Sequence, residues 1–250
     1  MRNLNNLLIL SFVITVAAIG ISTSTACADA AADQKEVRNG ENKQREDKKT
    51  GPDMPFEDDL KLEVRNVTGF TGVHIGGAMT AKITSGQAYK VTIEAEEKML
   101  PKIITEVKDG NLVVRYEKGY WKNKPHRHKK VRVTVSLPKI NEVDISGAST
   151  ATVAGVDTPD MKIDVSGAST LRIKGNARNI EVDLSGASSM KAIDLKSESA
   201  RMDVSGASSA KVSVSTKLGV DAAGASSVCY SGRPTVTKDT SGASSVRGGC

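Results

Sequence analysis

The sequence predicts an all-β protein, a right-handed parallel β-solenoid with coils of about 18–20 residues. Three observations lead to this prediction: a phrase that recurs at a nearly fixed interval, an apolar–polar alternation of period two inside each copy, and a content of only 3% aromatic residues among 250. A core with so few aromatics is built from Val, Ile, Ala and smaller side chains. Such a core suits a thin sheet architecture better than a large globular interior.

The repeated phrase places an Asp between two mostly apolar residues and continues as Ser-Gly-Ala-Ser, with Ala223 in place of the first serine in the fifth copy. Its six copies are centred on Gly147, Gly167, Gly186, Gly206, Gly224 and Gly242. The intervals between them are 20, 19, 20, 18 and 18 residues. A degenerate earlier copy occupies residues 73–80. A fixed period of about twenty residues indicates stacked supersecondary units.

The alternation inside each phrase identifies the unit as a strand. In the second copy, the set expected to face inward is Ile163, Val165, Gly167, Ser169, Leu171 and Ile173. Gly and Ser in the middle of this set predict a narrow place where the backbone approaches the interior. The gaps are too short for packed crossover helices, which favours a solenoid. The regular six-residue aliphatic spacing of a left-handed hexapeptide helix is absent, so the right-handed form is preferred.

Residues 60–142 are less regular but rich in strand patterns. Alternating stretches occupy residues 60–64, 90–94, 112–116 and 131–135. Residues 95–104 predict one short helix, interrupted by Pro101. This part either begins or caps the solenoid, or it is a separate small β domain. Residues 143–250 form the repeat solenoid.

Residues 1–27 are typical of an export signal, because Arg2 precedes an apolar run and a stretch of small residues. Two kinds of processing stay open. Cys27 follows small residues and is a candidate for lipidation, which would provide the only membrane contact. The alternative is plain cleavage near Ala26, Ala28 or Ala30. Both place the protein outside the cytoplasm, at the outer membrane or cell surface or in the periplasm.

Residues 28–59 predict a disordered charged tether, since they carry six basic and ten acidic side chains and almost no apolar ones. The remainder, residues 60–250, is therefore basic, with a net charge of about +9. We expect its partner to be an anionic glycan or another cell-envelope component. Nucleic acid is not expected as a partner of an exported chain that lacks a recognisable binding motif.

Two cysteines besides Cys27 lie near the end of the chain. An even pair in an exported protein predicts a disulfide between Cys229 and Cys250. The alternative is two free thiols.

A basic stretch from Lys118 to Arg132 contains seven Lys and Arg residues and no acid. It is either a glycan-binding loop, with rings stacking on sugars, or a solvated hairpin loop. The ligand-binding candidates are Tyr120, Trp121, Lys122, Lys124, Arg127, Lys129 and Lys130. His126 and His128 are spaced as a zinc pair, but no third ligand is evident and no metal is expected.

The repeated aspartates should form an outward column with neighbours about 4.8 Å apart. They are Asp144, Asp164, Asp183, Asp203, Asp221 and Asp239. Repulsion of roughly 1 kcal/mol per neighbour in water calls for compensation. We expect it from turn hydrogen bonds or from Lys162, Lys191 and Lys211; calcium bridging is the alternative, although the known calcium-repeat motif is absent.

The sequence resembles the head GIN domain family of bacterial exported proteins, described as auto-transporter adhesin heads. The resemblance rests on Gly69-Phe70-Thr71-Gly72-Val73, on Leu137-Pro138 and on the repeated Ser-Gly-Ala-Ser. It covers roughly residues 65–245. It implies a right-handed β-helix similar to pectin-lyase-type scaffolds but without their catalytic residues.

The preferred functional interpretation is a non-enzymatic adhesin that binds glycan or another envelope component through a basic solenoid, with no cofactor. One alternative is a polysaccharide lyase or hydrolase on the same scaffold, which needs a non-repeating acidic cluster that the sequence lacks. Another is a ligand-free periplasmic structural protein. The repeated serines are expected to be structural, since a catalytic group normally occurs once and no Gly-x-Ser-x-Gly elbow is present.

Overall fold

A computed structural model of the chain describes residues 60–120 and 130–250, which form fifteen strands and one short 3-10 helix. The strands are β1 (Leu60–Arg65), β2 (Gly72–Ile75), β3 (Thr80–Ser85), β4 (Lys90–Glu96), β5 (Ile103–Lys108), β6 (Asn111–Tyr116), β7 (Arg132–Leu137), β8 (Glu142–Ile145), β9 (Thr150–Val165), β10 (Thr170–Leu184), β11 (Ser189–Val204), β12 (Ser209–Ala222), β13 (Ser227–Ser231), β14 (Thr235–Thr240) and β15 (Ser245–Gly248). The predicted short helix is the 3-10 helix Glu97–Lys102, which contains Pro101.

The repeats build a parallel ladder in which every coil pairs with the next. Strands β9 to β12 are 14 to 16 residues long and stack in chain order. In the β9–β10 pair, Thr150 lies opposite Thr170 and Val165 lies opposite Leu184. The predicted parallel β-solenoid is therefore confirmed, while its hand of winding stays a prediction.

The core is a stack of aliphatic side chains that repeats from coil to coil. One buried column consists of Val143, Ile163, Val182, Met202 and Val220. Among the described residues only two aromatic side chains, Phe70 and Tyr116, are buried. Each coil contributes the apolar side chains at alternating positions of its strand. These side chains are buried only because neighbouring coils cover them.

The Ser-Gly-Ala-Ser phrase forms a corner between two strands, which corrects one prediction. Gly167 was expected among the inward residues, but it is exposed and has a φ of 75°. Its nearest neighbour is the corner of the coil before: a Cβ on Gly167 would overlap with the carbonyl oxygen of Gly147. Glycine is needed there because the backbone adopts a left-handed conformation and stacks closely on the preceding coil.

In five of the corners the last serine is buried, and its hydroxyl forms hydrogen bonds with the backbone. In five coils it is Ser149, Ser169, Ser188, Ser208 and Ser226. Ser149 Oγ donates to the carbonyl oxygen of Ser146, at 2.9 Å, and lies 2.6 Å from that of Gly77 one coil away. Ser188 Oγ donates to the Ser185 carbonyl oxygen at 2.6 Å. These bonds satisfy groups that would otherwise be buried without a partner.

Residues 60–142 continue the same ladder, but out of chain order. Strands β2 and β3 form one coil with a corner at residues 76–79, and they pair in parallel with β8 and β9. On their other side they pair in parallel with β6 and β7, which come later in the chain. Antiparallel strands then finish this end: β4 and β1 beyond β7, and β5 beyond β6.

Candidate functional site

Six aspartates form the predicted outward column, and the strand register puts them on consecutive rungs. Asp144 lies opposite Asp164, which lies opposite Asp183, and the column continues through Asp203, Asp221 and Asp239. A groove of about 340 Å³ runs along the last four carboxylates and is also lined by corner serines. The column is a row of negative charge repeating every ~4.8 Å.

At two positions of the column, Asp144 and Asp183, burial and repulsion by neighbouring acids disfavour the charged carboxylate. Burial raises the pKa of Asp183, and the charges of Asp164 and Asp203 raise it further. Burial also raises the pKa of Asp144, while nearby His74 acts in the opposite direction. His74 occupies the rung before Asp144, so the row of acids ends on a histidine. Its Nε2 lies 3.2 Å from Glu142 Oε1.

The compensating cations differ in part from those predicted. Lys162 does pair with Asp164, with Nζ 3.5 Å from Oδ2, and Arg201 approaches Asp221 at 3.9 Å. Lys162 and Arg201 come from an adjacent column that alternates in sign, Glu142, Lys162, Glu181 and Arg201. The prediction for Lys191 and Lys211 was wrong, because the corner turns the chain and places both on the strands beyond it.

Lys191 and Lys211 belong instead to a second charged column, which we call the basic column. Its rungs are Lys82, Thr152, Arg172, Lys191, Lys211, Cys229 and Arg247. All five cations are exposed. Within residues 60–120 and 130–250, none of them forms an ion pair. From Lys82 to Arg247 the column spans six ladder intervals, or ~29 Å.

A column of hydroxyls runs beside the basic column, two residues earlier on each strand. It consists of Thr80, Thr150, Thr170, Ser189, Ser209, Ser227 and Ser245. Arg132 stands on the next rung beyond Thr80 and pairs with Glu94 at 3.3 Å. This face therefore offers positive charge and hydrogen-bonding hydroxyls in parallel rows, which are the groups that contact sulfate, phosphate or carboxylate on a sugar chain.

The described ends of the predicted binding loop lie on the same side of the solenoid as the basic column and the hydroxyl column. β6 and β7 pair with β2 and β3, so the end of β6 and the start of β7 flank the corner at residues 76–79. Lys130 is exposed and lines a shallow depression with Thr80, Arg132 and Thr150. Lys130 thus lies at the head of the hydroxyl column, close to the basic column.

Tyr120 has a packing role that the sequence did not indicate. Its ring stacks on Tyr116, with centroids 5.1 Å apart and planes 7° from parallel. Burial, with a smaller contribution from Tyr120, raises the pKa of Tyr116 to about 12. Tyr120 remains half-buried, so one side of it is engaged inside the protein.

Several predicted site residues lie outside the described residues. They are Cys27, Trp121, Lys122, Lys124, Arg127 and Lys129, together with His126 and His128. The export signal and the tether, residues 1–27 and 28–59, lie outside them as well. Their roles stay predictions.

The predicted disulfide is present. Cys229 on β13 is bonded to Cys250, with Cα atoms 5.8 Å apart. It ties the last residue of the chain to the last two coils.

Two kinds of site are absent from the part of the chain that the structure describes. No group of three or more His, Cys, Asp or Glu residues there is arranged to hold a metal ion. No helix in the same ranges is long and apolar enough to cross a membrane.

The basic column was missed at the sequence level although a simple spacing marks it. Six of its seven rungs follow a rung of the Asp column by eight residues, as Arg172 follows Asp164 and Lys211 follows Asp203. An alternation of period two puts residues eight apart on the same side of a strand. The alternation does not continue through the four-residue corner between them. The two columns therefore lie on different strands of the ladder.

Comparison with known structures supports the fold. A crystal structure of a protein described as a putative adhesin from Bacteroides fragilis superposes with a TM-score of 0.62 at 17% identity, covering 76% of this chain and 97% of that one. A second, also described as a putative adhesin, from Parabacteroides merdae, gives a TM-score of 0.48 at 14% identity, covering 78% of this chain and 98% of that one. The likeness to the Bacteroides fragilis protein, at 17% identity, concerns the fold alone. No curated protein matches the sequence.

The sequence itself matches a family model over residues 69–234. That range begins just before β2 and ends just before β14, so it includes most of the Asp column and the basic column. The model is described as "Putative auto-transporter adhesin, head GIN domain". The resemblance noted from the repeated phrase is confirmed, and the chain belongs to the head GIN domain family.

Proposed function

We propose that this chain is a non-enzymatic, exported cell-envelope adhesin that binds an anionic glycan through its basic column. The observation that carries the proposal is the row of five exposed cations without ion pairs among the described residues, Lys82, Arg172, Lys191, Lys211 and Arg247. Membership of a family described as adhesin heads supports the adhesive role. The proposal extends that coarse role to a ligand class and a surface.

The chemistry of the face favours a polyanion over a neutral sugar. Arg172, Lys191 and Lys211 stand on three consecutive rungs, where like charges ~4.8 Å apart repel each other by roughly 1 kcal/mol per neighbour in water. An anionic chain lying along the column relieves this repulsion and releases its own counterions. The adjacent hydroxyl column adds neutral hydrogen bonds to sugar oxygens. Lys130, which lines a depression with Thr80 and Thr150, extends the positive surface.

Rigidity of the face lowers the cost of binding. The cations project from a parallel ladder whose strands, except β15 at its end, are paired on both sides, so the backbone loses little freedom when ligand binds. Only the long Lys and Arg side chains have to become ordered. A repeating site also suits a repeating ligand, since a linear anionic chain meets cations on the successive rungs of Arg172, Lys191 and Lys211.

The test is binding of dextran sulfate to the purified protein and to the variant Arg172→Gln, Lys191→Gln, Lys211→Gln. We expect the variant to bind about tenfold more weakly, which corresponds to roughly 1.4 kcal/mol. We also expect the affinity of the unmodified protein to fall steeply with salt. Neutral dextran should not bind to either protein.

The matched control removes three exposed lysines elsewhere, Lys61→Gln, Lys108→Gln and Lys139→Gln, with the same change in net charge. It should bind almost as well as the unmodified protein. Equal weakening in the control and in the basic-column variant would contradict the proposal, because binding would then depend on net charge and not on the column.

The proposed location is tested separately. Protease added to intact cells should degrade this protein while a periplasmic control survives. Protection of the protein would place it in the periplasm and would contradict the adhesive role.

A further inference from the structure

We infer that the solenoid also binds a second copy of itself, with the basic column of one copy docked along the Asp column of the next. The two columns carry opposite charge, lie on the two sides of the Ser-Gly-Ala-Ser corner and run the full length of the repeat region. One copy therefore presents both halves of the contact on different sides. The partner's chemistry is the chain's own.

The two columns are linked coil by coil in the sequence. Eight residues after each member of the Asp column comes a member of the basic column, and four of the six pairs are an acid and a base. These four pairs are Asp164 with Arg172, Asp183 with Lys191, Asp203 with Lys211, and Asp239 with Arg247. The same repeat thus generates both charges, and each added coil extends both columns equally.

The columns also share one repeat distance. Both lie on the same parallel ladder, so carboxylates and cations recur at the same ~4.8 Å interval. When two copies lie side by side with their axes parallel, Arg172, Lys191 and Lys211 of one copy can meet three consecutive aspartates of the other. A partner of another kind has to match this interval independently, whereas a second copy matches it by construction.

Docking compensates the repulsion between like charges in the Asp column of one copy and in the basic column of the other. Neighbouring aspartates disfavour ionisation of Asp183, whose pKa is raised by burial and then by Asp164 and Asp203. The facing cations repel one another and lack ion pairs among the described residues. The groove of about 340 Å³ along Asp183, Asp203, Asp221 and Asp239 leaves room for Lys and Arg side chains to enter.

The contact joins two different surfaces, so it does not close on itself. Each docked pair leaves one free basic column and one free Asp column at its ends, and association continues into an open row. A strip of a few rungs buries less than the ~1,200 Å² of a standard interface, so the contact is weak and sensitive to salt. It becomes important when many copies are concentrated on one surface. A polyanion on the basic column would compete with it.

Analytical ultracentrifugation of the purified protein with EDTA present tests the inference. At low salt, about 20 mM, the weight-average sedimentation coefficient should rise continuously with protein concentration; at about 0.5 M salt it should return to the monomer value. EDTA removes divalent cations, so bridging of two Asp columns by metal does not contribute. A sedimentation coefficient that stays at the monomer value at low salt, up to about 1 mM protein, would overturn the inference.

Two variants that each lack one column give the sharper result. One is Arg172→Gln, Lys191→Gln, Lys211→Gln, and the other is Asp164→Asn, Asp183→Asn, Asp203→Asn. Each alone should remain monomeric at low salt. Their equimolar mixture should form a dimer and nothing larger, because it contains one intact column of each sign. Formation of the dimer also shows that both variants are folded.

Association of either variant alone to the extent of the unmodified protein would overturn the inference, as would a mixture that stays monomeric. The variant Lys61→Gln, Lys108→Gln, Lys139→Gln should associate like the unmodified protein. The Asp variant separates this inference from the proposed function: it should still bind dextran sulfate. Loss of self-association together with normal polyanion binding identifies the Asp column as the partner surface.

Discussion

The corner glycines make the closest contacts between coils. Gly186 has a φ of 78°, and a Cβ there would lie 2.5 Å from the carbonyl oxygen of Gly167. The backbone N–H of Ala187 donates to that same oxygen at 2.7 Å. A side chain on Gly186 would therefore be strained in itself and would also disturb the hydrogen bond that holds the corner to the next coil.

We expect Gly186→Ala to lower the free energy of unfolding by about 2 kcal/mol or more, through the left-handed backbone and the contact with the neighbouring carbonyl. Chemical denaturation measures the change. Gly219→Ala is the matched control, since Gly219 lies in β12 with nothing within 4 Å of an added Cβ. That variant should change stability by less than about 1 kcal/mol. Similar losses for the two variants would contradict the role assigned to the corner.

Asp183 gives a prediction about pH. Its pKa is raised in the folded protein, so the folded state holds this proton more tightly than the unfolded chain does. The resulting stability is fully present below the ordinary pKa of Asp and is lost as pH rises through the folded pKa. At neutral pH the charged Asp183 is therefore unfavourable, and Asp183→Asn should raise the melting temperature.

The gain from Asp183→Asn should shrink as the solution is acidified through the carboxyl range, because unmodified Asp183 is then neutral as well. Thermal melts between neutral and acidic pH follow it. Asp157→Asn is the control: Asp157 is exposed on β9 opposite Asn176, outside the column. A melting temperature that falls at neutral pH on Asp183→Asn would contradict the account of charge repulsion.

At the scale of elements, the strands could be predicted and their stacking order could not. Period-two alternation located β1, β4, β6 and β7 within a few residues. β6 and β7 bury every second side chain, whereas β4 buries three residues in succession and β1 buries none. Nothing in that alternation indicates that β6 and β7 lie outside β2 and β3. Stacking order depends on long-range pairing, and many strands of similar pattern compete for each edge.

The corner explains why the site was only partly predicted. The Asp column follows directly from the repeated phrase, since its members occupy one position of every copy. The basic column could be predicted only if it was known that residues 185–188 turn the chain. Because of this turn, Asp183 and Lys191 belong to different strands. Gly186 and Ser188 suggest a turn only when their backbone angles and burial are known.

The end of the solenoid depends on the bond between Cys229 and Cys250, which are 21 residues apart in sequence. Beyond β14 and β15 the ladder has no further rung among the described residues, so this end lacks one neighbour. We expect Cys229→Ser to lower the free energy of unfolding by about 3 kcal/mol. Backbone amides of β15 should exchange hydrogen faster in the variant.

Reduction of the unmodified protein is the control for this change. It should reproduce both effects, while the variant itself should not respond to the reductant. Unchanged exchange in β15 after either treatment would show that the bond does not stabilise this end.

At the scale of the whole molecule, one repeat gives the protein two charged faces of opposite sign. Each coil contributes an acid before its corner and, in most coils, a base after it, as in Asp203 and Lys211. The length of the array therefore sets the length of both faces together. A surface built in this way suits ligands and partners that are themselves repetitive.

Whether the basic column binds a polyanion can be tested directly by modifying lysines with and without bound dextran sulfate and reading the modification by mass spectrometry. If the basic column binds the polyanion, then Lys82, Lys191 and Lys211 should be protected several-fold, because the ligand covers them. The exposed lysines Lys61, Lys108 and Lys139 should react equally in both samples. Equal protection of both sets, or protection of the second set alone, would contradict binding along the basic column.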